Sequence, residues 1–83
     1  MKKQLILYTR NRCPLCEKAK DVLIQLQKEI SFELIELDIE QKDEWVEQYG
    51  LMIPVVSFAG EVIQYGQISK EVIKKHLLEH TMK

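Results

Sequence analysis

The sequence predicts an α/β fold, in which helices alternate with the strands of one sheet. Residues 3–9 have the continuous apolar character of a buried strand, and residues 14–28 have an apolar stripe at helical spacing. Farther along, two short runs rich in valine and aromatic residues flank Gly60, a pattern typical of a hairpin. At 83 residues the chain is long enough for one core, so we expect one domain over residues 1–83.

The first half of the chain predicts a strand, a helix and a second strand. The apolar stripe of the helix at 14–28 is formed by Ala19, Val22, Leu23, Leu26 and Ile30. Residues 32–38 mix apolar with acidic side chains over strand length, which favours an edge strand. Because a helix that joins two strands normally makes a right-handed crossover, we expect the strands at 3–9 and 32–38 to be parallel.

A short helix is expected next, at residues 43–49. Trp45 and Tyr49 lie one turn apart in this segment, so we expect both to face the core. Gly50 then occupies the position at which a residue in the left-handed conformation commonly ends a helix.

A hairpin and a last helix complete the predicted fold. Residues 55–59 and 62–65 have strand character, around a tight turn at Gly60-Glu61. Ser69 can cap a helix that runs to about residue 80. Its inward-facing residues are expected to be Val72, Ile73, His76 and Leu77. The predicted order is strand, helix, strand, helix, strand, strand, helix.

The composition argues against several classes of function. The formal net charge is −1 and the basic residues are spread along the chain, so no basic patch indicates nucleic acid or an anionic membrane as a partner. No apolar run is long enough to cross a bilayer, and the N-terminal residues lack the apolar segment of a signal peptide. We therefore expect a cytoplasmic protein. The expected oligomeric state is a monomer. In a reducing compartment, a cysteine pair binds metal or exchanges electrons more often than it staples the chain.

The segment Cys13-Pro14-Leu15-Cys16 is the motif most indicative of chemistry. If a helix begins at Pro14, whose missing N–H would have no partner at that position, Cys13 is the N-cap residue. Its sulfur can then accept hydrogen bonds from the N–H groups of Leu15 and Cys16, at the positive end of the helix dipole. Both effects favour the thiolate, which is the form of cysteine that attacks disulfides.

Charge and position predict different roles for the two cysteines. Arg10 and Arg12 favour a thiolate at Cys13 and Glu17 opposes it, so the expected balance lowers the pKa of the Cys13 thiol. Cys16 lies one turn into the helix and nearer the core. The predicted reaction is attack of Cys13 on a substrate disulfide, followed by attack of Cys16 on the resulting mixed disulfide.

Other functions of the cysteine pair remain alternatives. A structural disulfide would close a loop of four residues and could be reduced in the cytosol. A zinc site would use Cys13, Cys16, His76 and His80. About 59 residues separate the cysteines from the histidines, far more than in a zinc finger. An iron–sulfur cluster shared between two chains is a second metal-binding alternative. A third class is an interaction domain in which Trp45 or Tyr65 anchors a partner.

The segment YTRNRCPLC at residues 8–16, followed by MIPV at residues 52–55, resembles the glutaredoxins and the small bacterial glutaredoxin-like proteins. The resemblance covers nearly the whole chain and includes the order of the elements. Thioredoxins proper are less similar, because they carry a Trp-Cys-Gly-Pro-Cys motif and additional N-terminal elements. The resemblance implies dithiol–disulfide oxidoreductase activity and a minimal thioredoxin fold, with three helices packed on a four-stranded mixed sheet in the order 2-1-3-4.

The resemblance also implies a substrate site. From the residues alone, Pro54 is a proline at a strand start, where trans bonds prevail. The resemblance instead implies a cis Ile53–Pro54 bond beside Cys13, with the backbone of Ile53 paired with the substrate. It places Arg10 against a glutathione carboxylate, and Leu15 where many glutaredoxins have an aromatic residue. The expected substrate-binding residues are Arg10, Arg12, Leu15, Ile53 and Pro54.

One segment departs from the glutaredoxin pattern. Glutaredoxins usually carry two glycines after the hairpin, followed by a residue and an aspartate that bind the γ-glutamyl group of glutathione. This chain has one glycine and no acidic residue at 64–69. We expect no bound cofactor, and a substrate that is a disulfide-containing protein or a glutathione mixed disulfide. The expected reductant is either glutathione or an enzyme of the thioredoxin reductase type.

Overall fold

The computed structural model describes residues 3–81, with side chains for residues 3–79. The strands are β1 (Lys3–Thr9), β2 (Phe32–Asp38), β3 (Val55–Phe58) and β4 (Glu61–Tyr65). The helices are α1 (Pro14–Leu26), α2 (Asp43–Tyr49) and α3 (Lys70–Thr81), with a short 3-10 turn at Ile39–Gln41. The order of elements is the one that the sequence predicts. Across the described part of the chain, no helix combines the length and apolar character needed to cross a membrane.

The four strands form one mixed sheet in the order β2-β1-β3-β4, which confirms the predicted fold and the edge position of β2. β1 is parallel to β2 and antiparallel to β3, and β3 is antiparallel to β4. Tyr8 near the end of β1 lies opposite Val55 at the start of β3, and Val55 lies opposite Tyr65 at the end of β4. We call the end of the sheet at which β1 finishes, at Thr9, the cysteine end of the sheet.

Apolar residues cover both faces of the sheet, and the buried cluster on one face is larger than that on the other. The larger cluster joins one face to α1 and α3, and its buried members are Leu5, Leu7, Ala19, Leu23, Leu26, Phe32, Val56, Ile73 and Leu77. On the other face, Ile39 and Val55 are fully buried, and Tyr49 is stacked on Tyr8 with ring centroids 4.4 Å apart. Trp45 meets Tyr8 edge to face at 5.5 Å, so the expected core placement of Trp45 is confirmed.

The ends of two helices differ from the sequence-based expectation. The first helix ends at Leu26 and not at residue 28, and a turn follows in which the Ile30 N–H donates to the Leu26 carbonyl at 2.9 Å. The left-handed cap predicted at Gly50 is wrong, because this residue has helical angles, with φ −54°. Its N–H continues the helical pattern to the Val46 carbonyl oxygen, and a Cβ atom on Gly50 would lie 2.5 Å from that oxygen. The glycine is therefore explained by a close backbone approach.

The hairpin turn lies one residue earlier than predicted. Ala59 and Gly60 both have positive φ, 53° and 83°, as a two-residue hairpin turn requires when its twist matches that of the strands. β3 therefore ends at Phe58, and Glu61 begins β4. A bulge between Val56 and Ser57 changes the pairing along the hairpin, and no residue pattern in the sequence indicates it.

The buried side of α3 is narrower than expected. Ile73 and Leu77, one turn apart, are fully buried, and His76 is half-buried. The inward orientation predicted for Val72 is wrong, because its side chain is 44% exposed. A helix turns by about 100° per residue, so Val72 stands beside the stripe defined by Ile73 and Leu77 and not within it.

Candidate active site

The two cysteines form a disulfide at the start of α1, with Cα atoms 5.2 Å apart. Cys13 has extended backbone angles and is the N-cap residue, and Pro14 begins the helix, as the sequence predicts. The sulfur of Cys13 accepts a hydrogen bond from the Cys16 N–H at 3.2 Å. Within the described residues, the bond predicted from the Leu15 N–H is absent. The sulfur is bonded instead to the third helical residue, one of the two positions that an N-cap side chain commonly reaches.

Burial distinguishes the two sulfur-bearing residues. Cys16 is 3% exposed and faces the core, whereas Cys13 is half-buried at the helix start. Leu15, between them, turns its side chain away from the core and is 49% exposed. The predicted placement of Cys16 nearer the core is therefore confirmed, and Cys13 is the more accessible of the two to an external disulfide.

Residues 10–12 reverse the chain between β1 and α1. Arg12 has a φ of 58°, in the left-handed region that residues with a side chain rarely occupy. Its conformation turns the backbone so that the next residue, Cys13, can cap the helix. For a residue other than glycine this conformation costs about 1–2 kcal/mol of free energy. The loop therefore maintains the cap geometry at Cys13 with a strained backbone at Arg12.

A cleft of about 220 Å³ opens beside the disulfide. Its lining residues are Thr9, Arg10, Asn11, Arg12, Cys13, Cys16, Glu17, Lys20 and Glu36. The structure therefore brings Arg10 and Arg12 together with both cysteines. Leu15, Ile53 and Pro54, which were also expected to bind substrate, lie outside the lining of this cleft.

Ion pairs occupy two of the basic side chains of the cleft. Arg10 Nη2 lies 3.4 Å from Glu40 Oε2, and Arg10 Nε lies at the same distance from that oxygen. Lys20 Nζ lies 3.2 Å from Glu36 Oε1. Sequence reasoning did not identify either acidic partner. The proximity of Glu40 to Arg10 follows from the parallel register of β1 and β2. This register places Thr9 opposite Asp38, so the residues that follow the two strands lie close together.

The Ile53–Pro54 peptide bond is cis, as the resemblance to glutaredoxins implies. Pro54 is fully buried, directly before β3 and therefore at the cysteine end of the sheet. Ile53 is half-buried, and its N–H donates to the Tyr49 carbonyl at 3.0 Å. The backbone of Ile53 is expected to pair with substrate, and its N–H is engaged within the chain because the turns after α2 continue to Ile53.

The segment after the hairpin is held by hydrogen bonds within the chain. The Oε1 atom of Gln64 accepts from the Ser69 N–H at 2.7 Å, just before α3 begins. Gly66 has a φ of 77°, and its N–H lies within hydrogen-bond distance of the carbonyls of Met52, at 3.0 Å, and Pro54, at 2.8 Å. Gln64 therefore accepts a hydrogen bond from the N–H that immediately precedes α3. The sequence does not indicate this role, because the two residues are five positions apart.

The residues of the zinc alternative are only partly described. The ring of His76 packs edge to face against Phe58, with centroids 6.4 Å apart. Phe58 pairs with Leu5, three positions along β1 from the pairing at the cysteine end. The side chain of His80 lies outside the described residues. Among those that are described, no three histidine, cysteine or acidic side chains are grouped closely enough to hold a metal ion.

Residues 4–78 match a family described as glutaredoxin-like domain (DUF836). The solution structure of protein Ne2328 from Nitrosomonas europaea is similar, with a TM-score of 0.81 and 26% identity over 92% of each chain. Protein XcR50 from X. campestris has a TM-score of 0.77 and 24% identity, over 90% of this chain and 96% of that chain. Thioredoxin 1 from Thermosipho africanus shares the fold, with a TM-score of 0.62 and 13% identity over 96% of this chain and 99% of that chain. The chain therefore belongs to the glutaredoxin-like (DUF836) family and has the thioredoxin fold, which fits a redox role for its Cys13–Cys16 pair.

Proposed function

We propose that the protein is a dithiol–disulfide oxidoreductase in which Cys13 is the nucleophile and Cys16 the resolving thiol. The observation that carries the proposal is the asymmetry of the pair, in which a half-buried cysteine caps a helix and a buried one follows a turn later. An N-cap sulfur at the positive end of a helix is stabilised as the thiolate. The resolving thiol lies close enough to close a disulfide, with its Cα atom 5.2 Å from that of Cys13.

The proposed reaction consists of two exchange steps. The Cys13 thiolate attacks one sulfur of a substrate disulfide, which forms a mixed disulfide and releases the other substrate sulfur as a thiolate that takes up a proton. The Cys16 thiol then loses its proton and attacks the Cys13 sulfur. The Cys13–Cys16 disulfide forms, and the second substrate thiol leaves. Two electrons pass from the protein dithiol to the substrate, and an external thiol reductant must return them before the next cycle.

We place this reaction in the cytoplasm and propose that a monomer carries it out without a bound cofactor, nucleic acid or membrane. The substrate class is a disulfide-containing protein or a glutathione mixed disulfide. The reductant is glutathione or an enzyme of the thioredoxin reductase type. Two contacts within the chain favour a reductant other than glutathione. The N–H of Ile53, whose backbone would pair with glutathione, donates to the Tyr49 carbonyl. The Ser69 N–H, in the segment where glutaredoxins bind the γ-glutamyl group, donates to Gln64.

Single replacement of each cysteine by serine tests the assignment of roles. We expect Cys13→Ser to abolish reduction of a protein disulfide such as that of insulin, because no nucleophile remains. Cys16→Ser should still attack but stop at the mixed disulfide, which mass spectrometry detects as a covalent adduct on Cys13. A Cys13→Ser protein that retained reductase activity would overturn the proposal, and so would adduct formation on Cys16 in that variant.

The reductant is tested on the oxidised wild-type protein. Reduced glutathione and a thioredoxin reductase with NADPH are supplied separately, and the rate at which the Cys13–Cys16 disulfide opens is followed by alkylation of the released thiols. We expect faster reduction by the flavoprotein system. Faster reduction by glutathione would assign the protein to the glutathione-dependent branch.

A further inference from the structure

The carboxylate of Glu40 contacts Arg10, the cleft residue that directly follows β1. Arg10 donates through both Nε and Nη2 to Glu40 Oε2, each at 3.4 Å. The two side chains are 40% and 49% exposed, so solvent and small ions reach the pair. An exposed pair of this kind is weak, with a strength of about 0–1 kcal/mol. A substrate carboxylate could therefore compete with Glu40 for the guanidinium.

The position of Glu40 is fixed by its backbone. Ile39, the residue before it, is fully buried in the core beside α2. The Glu40 N–H donates to Asp38 Oδ1 at 2.9 Å, which caps the short turn at residues 39–41. Because Asp38 lies opposite Thr9 in the parallel register, this anchored turn holds the Glu40 side chain next to Arg10.

The charges of the cleft are balanced when Glu40 is included. The lining contains three basic residues, Arg10, Arg12 and Lys20. It also contains two acidic residues, Glu17 and Glu36, the second paired with Lys20. The lining alone would carry an excess of one positive charge, and Glu40 from outside the lining offsets it through Arg10.

We propose that Glu40 is a specificity-determining residue that masks Arg10, so that the cleft does not select disulfides bearing carboxylates; this rests on the proposed function. The favoured substrate class is a disulfide flanked by uncharged groups, as in a polypeptide segment without acidic residues near the cystine. Small dianionic disulfides gain less from Arg10 than they would from a free guanidinium, because they must first displace Glu40. Removal of the Glu40 charge frees the guanidinium beside Cys13 and creates a preference for anions.

Three small disulfides of similar length separate charge from reactivity. Bis(2-hydroxyethyl) disulfide is neutral, 3,3′-dithiodipropionate carries two carboxylates and cystamine carries two ammonium groups. Reduced protein is mixed with each disulfide, and the second-order rate of protein oxidation is measured by acid quench and alkylation. The readout is the ratio of the rate with the charged disulfide to that with the neutral one. A change in the intrinsic reactivity of Cys13 affects both rates alike and cancels in the ratio.

We expect Glu40→Gln to raise the ratio for the dianionic disulfide by about threefold at low ionic strength, the size expected for one exposed charge pair. The ratio for cystamine should fall by a similar factor. Salt at about 0.5 M should remove most of both changes, because the screening length then approaches the contact distance. The double variant Arg10→Gln with Glu40→Gln should lose the gain, since it lacks the guanidinium that the gain requires.

Glu61→Gln is the matched control, because it removes the same charge from an exposed position opposite Phe58, away from the cysteine end. An unchanged ratio in Glu40→Gln, or an equal increase in Glu61→Gln, would overturn the role of Glu40 while leaving the oxidoreductase proposal intact. A wild-type protein that none of the three disulfides oxidises would contradict the proposed function itself.

Discussion

Helices α1 and α3 both begin at the cysteine end of the sheet, but their first turns are capped by groups of different chemistry. In α1 the Cys13 sulfur accepts the Cys16 N–H at 3.2 Å. Before α3, the Gln64 amide oxygen accepts the Ser69 N–H at 2.7 Å. Both caps meet the need of a helix start for hydrogen-bond acceptors. The cap of α1 is a cysteine sulfur, which we propose as the nucleophile, whereas the cap of α3 is an inert amide supplied by β4.

Under the proposed function, this difference separates a site of reaction from a structural contact. A cap that is also a thiol can form a bond to a substrate, and the charge that it develops is stabilised where it stands. A cap that comes from another element fastens the helix to that element. Comparison of the two first turns therefore predicts that changes at α1 alter chemistry and changes at the start of α3 alter stability.

Matched truncations in the bodies of the two helices test whether the difference is confined to their first turns. Leu23 of α1 and Leu77 of α3 are both fully buried in the same cluster. We expect Leu23→Ala and Leu77→Ala each to lower the free energy of unfolding by ~2–5 kcal/mol, through lost burial and a residual cavity. Urea denaturation of the oxidised proteins measures the loss.

Leu78→Ala serves as the control for these truncations, because this neighbour of Leu77 is 43% exposed. We expect it to cost much less, since little apolar surface is withdrawn from water there. A large loss in one helix body and a small one in the other would mean that α1 and α3 differ along their whole length.

Replacement of the α3 cap has the next largest expected effect. Gln64→Ala removes the acceptor of the Ser69 N–H and should lower the free energy of unfolding by ~1 kcal/mol. Gln64→Glu keeps an oxygen at that position and adds a negative charge near a helix start, so we expect it to retain the stability. Disulfide exchange at Cys13 should proceed at the wild-type rate in both proteins. A loss of rate without a loss of stability would show that the α3 start takes part in the reaction.

The features predictable from the sequence are those set by local patterns. Apolar periodicity predicts the strands and helices, and the position of Pro14 alone indicates that Cys13 is an N-cap residue. The sheet order and the cis bond before Pro54 followed from resemblance to a family, because neither is fixed by neighbouring residues. Local patterns therefore predict the position of the cysteine pair at the start of α1 but not the residues that surround it.

Contacts between distant segments account for most of what the sequence did not reveal. Arg10 and Glu40 are 30 residues apart, and they meet because the parallel register aligns the ends of β1 and β2. The cap predicted at Gly50 is wrong because a glycine after a helix serves equally for a left-handed cap or a close backbone approach. The orientation predicted for Val72 is wrong because the buried stripe of α3 is narrower than its apolar composition indicates.

The smallest predicted effect concerns the electrostatics at the start of α3. Glu29, which follows α1, contacts both Lys70 and Lys74, the latter at 2.8 Å. Hydrogen bonds from Lys70 and then Lys74 lower the pKa of the Glu29 carboxyl from its ordinary 4.5 to about 2. Because this pKa is lower in the folded than in the unfolded chain, the stabilisation is present above about pH 4.5 and is lost as the pH falls toward 2.

Glu29→Gln should remove this part of the acid sensitivity. We expect the wild type to melt slightly higher than the variant near neutral pH, and the difference in Tm to shrink as the pH falls below 4.5. The effect is small because the pair is exposed, and added salt should reduce it further. Glu47→Gln, an exposed change on α2, controls for net charge. A difference in Tm that stayed constant down to about pH 3 would contradict the ion pairs as its source, and the joint between α1 and α3 would then rest on their shared apolar cluster.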